Sequence, residues 1–199
     1  VGAAINTAHE NTNFLKGVAL TPRVQTTCQH RDLSACEALL IVTPAQHLRS
    51  ILGDAPVGTK PVILCSKGIE AGTQMLMSDV ARAACPSAPI AVLSGPTFAH
   101  EVAAGLPTAI TLACEDAAMA AKLAARIARP TFRPYAATDV IGAEIGGAVK
   151  NVLAIACGVV EGAQLGQNAR AALIARGFAE MTRFGLARGA QPETLAGLS

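Results

Sequence analysis

Lys150 lies in the run Gly146-Gly147-Ala148-Val149-Lys150-Asn151, and from Ile141 to Val160 the only other charged residue is Glu144. A compact ammonium in such apolar surroundings loses hydration, which lowers its pKa and suits it to taking up and returning a proton. On a helix, positions 147, 150, 151 and 154 share one face. Gly147 and Ala154 are small and leave room beside the ammonium for a small molecule or a neighbouring helix. Gly142, Gly146 and Gly147 each weaken an isolated helix by about 1 kcal/mol relative to Ala, so together they predict close backbone approach. From spacing alone a second reading stands beside the catalytic one: a lysine snorkelling from a buried helix, with glycines that serve only helix packing.

Two further segments carry chemistry. Ser66-Lys67-Gly68-Ile69-Glu70 directly follows the apolar run 62–65. Ligands of open α/β sheets bind beyond the carboxyl ends of the strands, where Lys67 is expected to meet a phosphate or a polarised carbonyl. The plain alternative is a turn lysine in solvent. Ser94-Gly95-Pro96-Thr97 closes the run 90–93 and opens a helix. There glycine permits close approach, proline fits the first turn, and free N–H groups favour an anion or a carboxamide. The alternative is an ordinary capped turn. The expectation is that both loops and Lys150 converge on one cleft between two domains. His9, His30 and His47 have no partner at useful spacing and read as surface residues; His100, three after Thr97, reads as solvent-facing near the cleft. There is no Gly-x-Ser-x-Gly elbow and no carboxylate pair.

The elements that must position these residues follow from periodicity. Apolar runs over 38–43, 62–65, 90–93, 108–113 and 132–136 read as strands, with helices over 45–52, 74–84, 98–104 and 117–128 between them. Continuous apolar strands separated by helices imply a largely parallel sheet covered on both faces. After Thr138-Asp139, either of which can cap a helix, the pattern is helical only: 140–162, 168–187, and a third helix after Pro192-Glu193. The fold class is therefore α/β, a partial Rossmann-like doubly wound sheet over residues 1–137 followed by an all-helical substrate domain over 138–199.

Composition narrows the function. A chain of 199 residues holds one large or two small domains, and 51% hydrophobic against 15% charged residues supplies ample core. A net charge of +2, no Trp and one Tyr argue against nucleic-acid binding. No uncharged apolar stretch reaches the roughly 18–20 residues of a membrane span, and no secretory signal is read. Cysteines 28, 36, 65, 85, 114 and 157 lack metal spacing, and Cys65, Cys114 and Cys157 read as small buried hydrophobes. No disulfide framework and no metal site are expected, which favours the cytoplasm.

The residues also carry a resemblance. The segment 93–101, continuing Ala103-Ala104-Gly105-Leu106-Pro107-Thr108-Ala109, resembles the central signature of the bacterial NAD(P)-dependent glycerol-3-phosphate dehydrogenases, within the 6-phosphogluconate dehydrogenase-like superfamily. So do Ile145-Gly146-Gly147-Ala148-Val149-Lys150-Asn151-Val152, the run 168–177 and the turn 67–70; Asn11, Phe14-Leu15 and Gly17-Val18 match more weakly. The resemblance implies interconversion of sn-glycerol 3-phosphate and dihydroxyacetone phosphate with NAD or NADP, feeding glycerophospholipid synthesis. By the same resemblance Lys150 is the proton acceptor and donor, and Lys67 touches both cofactor and substrate. Gly95, Thr97 and Ala99 contact the cofactor, and Asn151 orients the lysine or the substrate. The implied partner is a small phosphorylated triose or glycerol, and a homodimer is compatible with it. The family's Gly-rich pyrophosphate loop, its Gly-Leu-Gly-Asp segment and its Arg-Asn pair find no match, so the ends read as cut. The competing readings are another β-hydroxyacid dehydrogenase, of hydroxyisobutyrate or 6-phosphogluconate type, and a folded fragment that acts only as a binding or assembly module.

Overall fold

The computed structural model of the chain describes residues 1–198. Helix α1 (Gly2–Ala8) leads into an antiparallel hairpin of β1 (Glu10–Asn11) and β2 (Leu15–Ala19), and a 3-10 turn spans His30–Ala35. A five-stranded sheet follows, its strands adjacent in chain order: β3 (Leu39–Ile41), β4 (Val62–Leu64), β5 (Ile90–Ser94), β6 (Thr108–Cys114) and β7 (Phe132–Ala137). The helices between and after them are α2 (Leu48–Asp54), α3 (Met77–Ala84), α4 (Ala99–Ala103), α5 (Ala117–Ile127), α6 (Val140–Gly162), α7 (Gly166–Ala187) and α8 (Pro192–Leu198).

The expected sheet forms with one reversal: β3–β4, β4–β5 and β6–β7 are parallel, whereas β5–β6 is antiparallel. A parallel return needs a crossover long enough to carry the chain back to the other end of the sheet. The connection 95–107 holds only the five-residue α4 and turns at Gly105 (φ 73°), so β6 starts at the edge where β5 ends. That edge thus gathers the carboxyl ends of β3, β4 and β5 with the amino ends of β6 and β7.

Both faces of the sheet are covered. On one, Leu39, Ile41, Val62, Leu64 and Val92 pack against Leu48 of α2, Val80 of α3 and Ala143 of α6. On the other, Ile63, Ala91 and Leu112 meet Ala120 and Leu123 of α5. The strand read over 38–43 shortens to 39–41, because β3 pairs only with β4 among the described residues, leaving Leu40 and Val42 exposed.

Asp139 rather than Thr138 caps α6. Its carboxylate accepts from Gly142 N (2.8 Å) and from Gln191 N (2.7 Å), joining the start of α6 to the loop before α8. A third core, of Leu76, Ile145, Met181, Ala190 and Leu195, unites α6, α7 and α8. By length and composition α6 alone among the described helices could cross a membrane. Seven of its first eight residues, Glu144 included, are instead buried, the pattern of a core helix.

The first 35 residues hold elements that periodicity did not expose, because α1 has only seven residues, none of them buried, and β1 has only two. His9, expected on the surface, is half-buried: it ends α1 in the left-handed region (φ 50°), with Nδ1 enclosed. His30, His47 and His100 are exposed. Cys114 is buried as expected, but Cys65 and Cys157 are only half-buried.

Candidate active site

The loop after β4 places Lys67. Ser66 Oγ donates to the Thr43 carbonyl (2.6 Å), tying this strand end to the neighbouring one. Gly68 (φ 147°) brings the backbone so near α2's approach that a Cβ there would lie 2.9 Å from Ala45 Cβ. Gln46 then holds the loop as a strand would, donating Nε2 to Ile69 O (2.9 Å) and accepting from Ala71 N (2.8 Å). Glu70 is gripped by the Arg49 guanidinium, at 3.0 and 2.7 Å, and by the Thr73 hydroxyl. Those hydrogen bonds, Arg49's first, pull the Glu70 carboxyl down to about 2. From this anchored loop Lys67 Nζ reaches the Gly95 carbonyl at 3.2 Å, so the two strand-end loops meet.

Gly95 follows β5 with φ 156°, and a Cβ there would press on the Ile110 backbone at 3.2 Å. Glycine is therefore required, and it leaves bare backbone at the sheet edge. Lys67, Gly95, Thr97 and Ala99 line one cavity of about 520 Å³, shared with Cys65 and Leu15. That size lies in the usual range for small-molecule sites. Its lining is mostly apolar, with Lys67 the one charged residue and Thr97 and Cys65 the other polar side chains; burial pushes the Cys65 thiol up even though Lys67 pulls it down. The apolar walls, exposed backbone and single cation fit a nicotinamide ring with its carboxamide. Among the described residues no cluster of His, Cys, Asp or Glu could hold a metal ion.

Lys150 arrives from the helical side. A Cβ on Gly147 would stand 2.6 Å from Ser94 Oγ and within 3.7 Å of the Lys67 methylenes, so α6 crosses the strand ends at its glycine. Lys150 follows one turn later, half-buried, its pKa lowered first by burial and then by the nearby Lys67 charge. It lines a second cavity of about 390 Å³ with Leu153, Ile174, Phe178 and Met181. The predicted residues thus fall in two adjoining hollows rather than one. Asn151 is exposed, lines neither cavity, and has no side-chain hydrogen bond among the described residues. His100 lies over Phe98, ring centroids 5.9 Å apart, outside both.

Sequence reasoning missed several lining residues. Ile174, Phe178 and Met181 show helical spacing that could have been read as a face toward Lys150, whereas Leu15, from the N-terminal hairpin, gave no local signal. Ser94, which opens the Ser94-Gly95-Pro96-Thr97 segment singled out above, proves to have a buried hydroxyl with no hydrogen-bond partner among the described residues.

A sheet that gathers glycine and lysine loops at its carboxyl edge, with a helical layer bringing a depressed lysine beside them, is the architecture of a dinucleotide-dependent dehydrogenase. Residues 1–120 match the N-terminal and residues 139–199 the C-terminal model of NAD-dependent glycerol-3-phosphate dehydrogenase, and the chain belongs to that family. It is 62% identical over its whole length to glycerol-3-phosphate dehydrogenase, NAD(P)+, 1 of Sphingopyxis alaskensis, covering 60% of that protein. It is 64% identical over 98% of its length to the Novosphingobium aromaticivorans glycerol-3-phosphate dehydrogenase, covering 59% of it. The crystal structure of the Coxiella burnetii glycerol-3-phosphate dehydrogenase superposes with a TM-score of 0.90 at 35% identity, over 98% of this chain and 61% of that one. The chain therefore spans about 60% of the length of these relatives. Neither competing reading, the other β-hydroxyacid dehydrogenases or a binding module, is favoured by these matches.

Proposed function

We propose that the gene product carrying this chain interconverts sn-glycerol 3-phosphate and dihydroxyacetone phosphate with NAD or NADP, supplying glycerophospholipid synthesis in the cytoplasm. Residues 1–137 are the dinucleotide-binding part, 138–199 belong to the substrate-binding part, and the protein pairs as a homodimer. The observation that carries the reading is the crossing of α6 over the strand ends at Gly147, which sets Lys150 one turn from the Lys67 loop.

The roles follow from that placement. Lys67, Gly95, Thr97 and Ala99 would hold a nicotinamide, which would supply hydride transfer to or from C2 of the substrate. Gly95, Thr97 and Ala99 line its pocket, and the apolar walls there keep water from the ring. The half-buried Lys150 takes the C2 hydroxyl proton in oxidation and returns it in reduction; its depressed pKa makes the neutral amine accessible. Lys67 lines the first hollow, its charge is felt at Lys150 in the second, and it supplies positive charge to substrate and cofactor together. Asn151, exposed beside Lys150 on α6 and lining neither hollow, is assigned its role of orienting the lysine or the substrate by the family resemblance alone.

Steady-state assays with both substrates and both cofactors test the reading. Lys150→Ala lowers kcat by about 100- to 10,000-fold, the usual span for a general acid–base group, with little change in cofactor affinity. Lys67→Met instead raises KM for substrate and cofactor together. Near-normal turnover in Lys150→Ala would refute the proton-transfer role.

A further inference from the structure

We propose that Glu144 is a positioning residue, its carboxylate seated on the start of α3 so that α6 presents Lys150 to the Lys67 loop. The inference rests on the reading of Lys150 given above. Glu144 is 6% exposed and Ser78, the second residue of α3, 1% exposed. One carboxylate oxygen accepts from Ser78 N (2.7 Å) and the other from Ser78 Oγ (2.6 Å). Burying a carboxylate is expensive, and an apolar side chain would fill the same volume more cheaply. What the carboxylate adds is direction: two hydrogen bonds to one residue hold α6 at one rotation and one height.

The second hold lies one turn further along. Glu144 and Gly147 are three residues apart, hence neighbours on the helix surface, and Gly147 meets Ser94 and the Lys67 stem. Glu144 therefore fixes α6 to α3, and Gly147 fixes it to β5 and the Lys67 loop. Past Gly147 the helix leaves the sheet: residues 148–150 are half-buried, and most that follow are exposed. Lys150 is placed by rigid extension from these two contacts. A slip of one residue would move it by about 1.5 Å and rotate it by about 100°, away from Lys67.

The test measures Lys150 directly. Its rate of acetylation against pH, read by mass spectrometry on the gene product without substrate, gives its titration; exposed Lys122 is the internal control. In the wild type Lys150 titrates below an ordinary lysine. In folded Glu144→Ala it moves back toward the ordinary value, and kcat for glycerol 3-phosphate falls by about 100-fold, as for a displacement near 1 Å, while KM for the cofactor is unchanged. Glu144→Gln can still accept from Ser78 N and donate to Ser78 Oγ, and restores both readouts. Should Glu144→Ala not fold, Ser78→Ala, which removes only the hydroxyl contact, shows a smaller shift in the same direction. A folded Glu144→Ala or Ser78→Ala protein with wild-type Lys150 titration would overturn the proposal, as would Glu144→Gln behaving like Glu144→Ala. Absence of glycerol 3-phosphate turnover in the wild type would refute the proposed function instead, and the lysine titration would still decide the role of Glu144.

Discussion

At the scale of single residues, two glutamates of opposite electrostatic character frame the site. Burial pushes Glu144 up to about 7, against the Ser78 hydroxyl and N–H, which pull it down; on α3, Asp79 adds to the rise and Arg82 opposes it. The native state therefore holds a proton that an unfolded carboxyl, near 4.3, has already released. Stability from this group is complete below about pH 4.3 and is lost as pH rises through about 7. Urea midpoints taken from pH 5 to 8 should fall across that window in the wild type and lie flat in Glu144→Gln. Glu70 has the reverse sign: its carboxyl is held down to about 2 by Arg49 and then Thr73, so its contribution is present at neutral pH and lost in acid. The catalytic expectation for Lys150 belongs to this scale as well. Its apolar neighbours were legible in the sequence because burial on a helix is a local pattern. The charge of Lys67 beside it was not.

At the scale of elements, α6 shows why glycines in one helix have different meanings. Gly147 is closed over by Ser94 and the Lys67 stem, whereas nothing stands within 4 Å of a Cβ on Gly158. Gly147→Ala should destabilise by about 1–3 kcal/mol through overpacking and displace α6 from the strand ends. Gly158→Ala should stabilise by about 0.5–1 kcal/mol, because alanine loses less backbone freedom in a helix. Thermal denaturation of the two variants checks both signs, and equal effects would show that the glycines serve helix formation alone. The close approach expected from the glycine run was correct at Gly142 and Gly147. The sequence could not say what approached, since Ser94 belongs to a distant strand. The β5–β6 reversal was equally hidden, because an apolar run reads the same in either direction.

At the scale of the whole molecule, sheet and helical layer are one packed unit around the Lys67 loop. Leu76, at the far end of that loop, is 4% exposed in the core with Ile145, Met181 and Leu195. Leu76→Ala should cost about 2–5 kcal/mol and should loosen both the helical layer and the placement of Lys67. The check is a lower urea midpoint together with a raised KM for substrate and cofactor; loss of stability with wild-type KM would show the loop to be independent of that core. By itself, the sequence determined the alternation of strands and helices from β3 onward, the start of α6 near residues 138–139, and the chemistry-bearing loops at the strand ends. These follow from side-chain periodicity and backbone preference over a few residues. Only the tertiary structure decided that Glu144 sits on Ser78, that Gly147 lies against Ser94, and that Lys67 and Lys150 occupy adjoining hollows. Such contacts join residues dozens of positions apart, and no local pattern records which buried group will meet which.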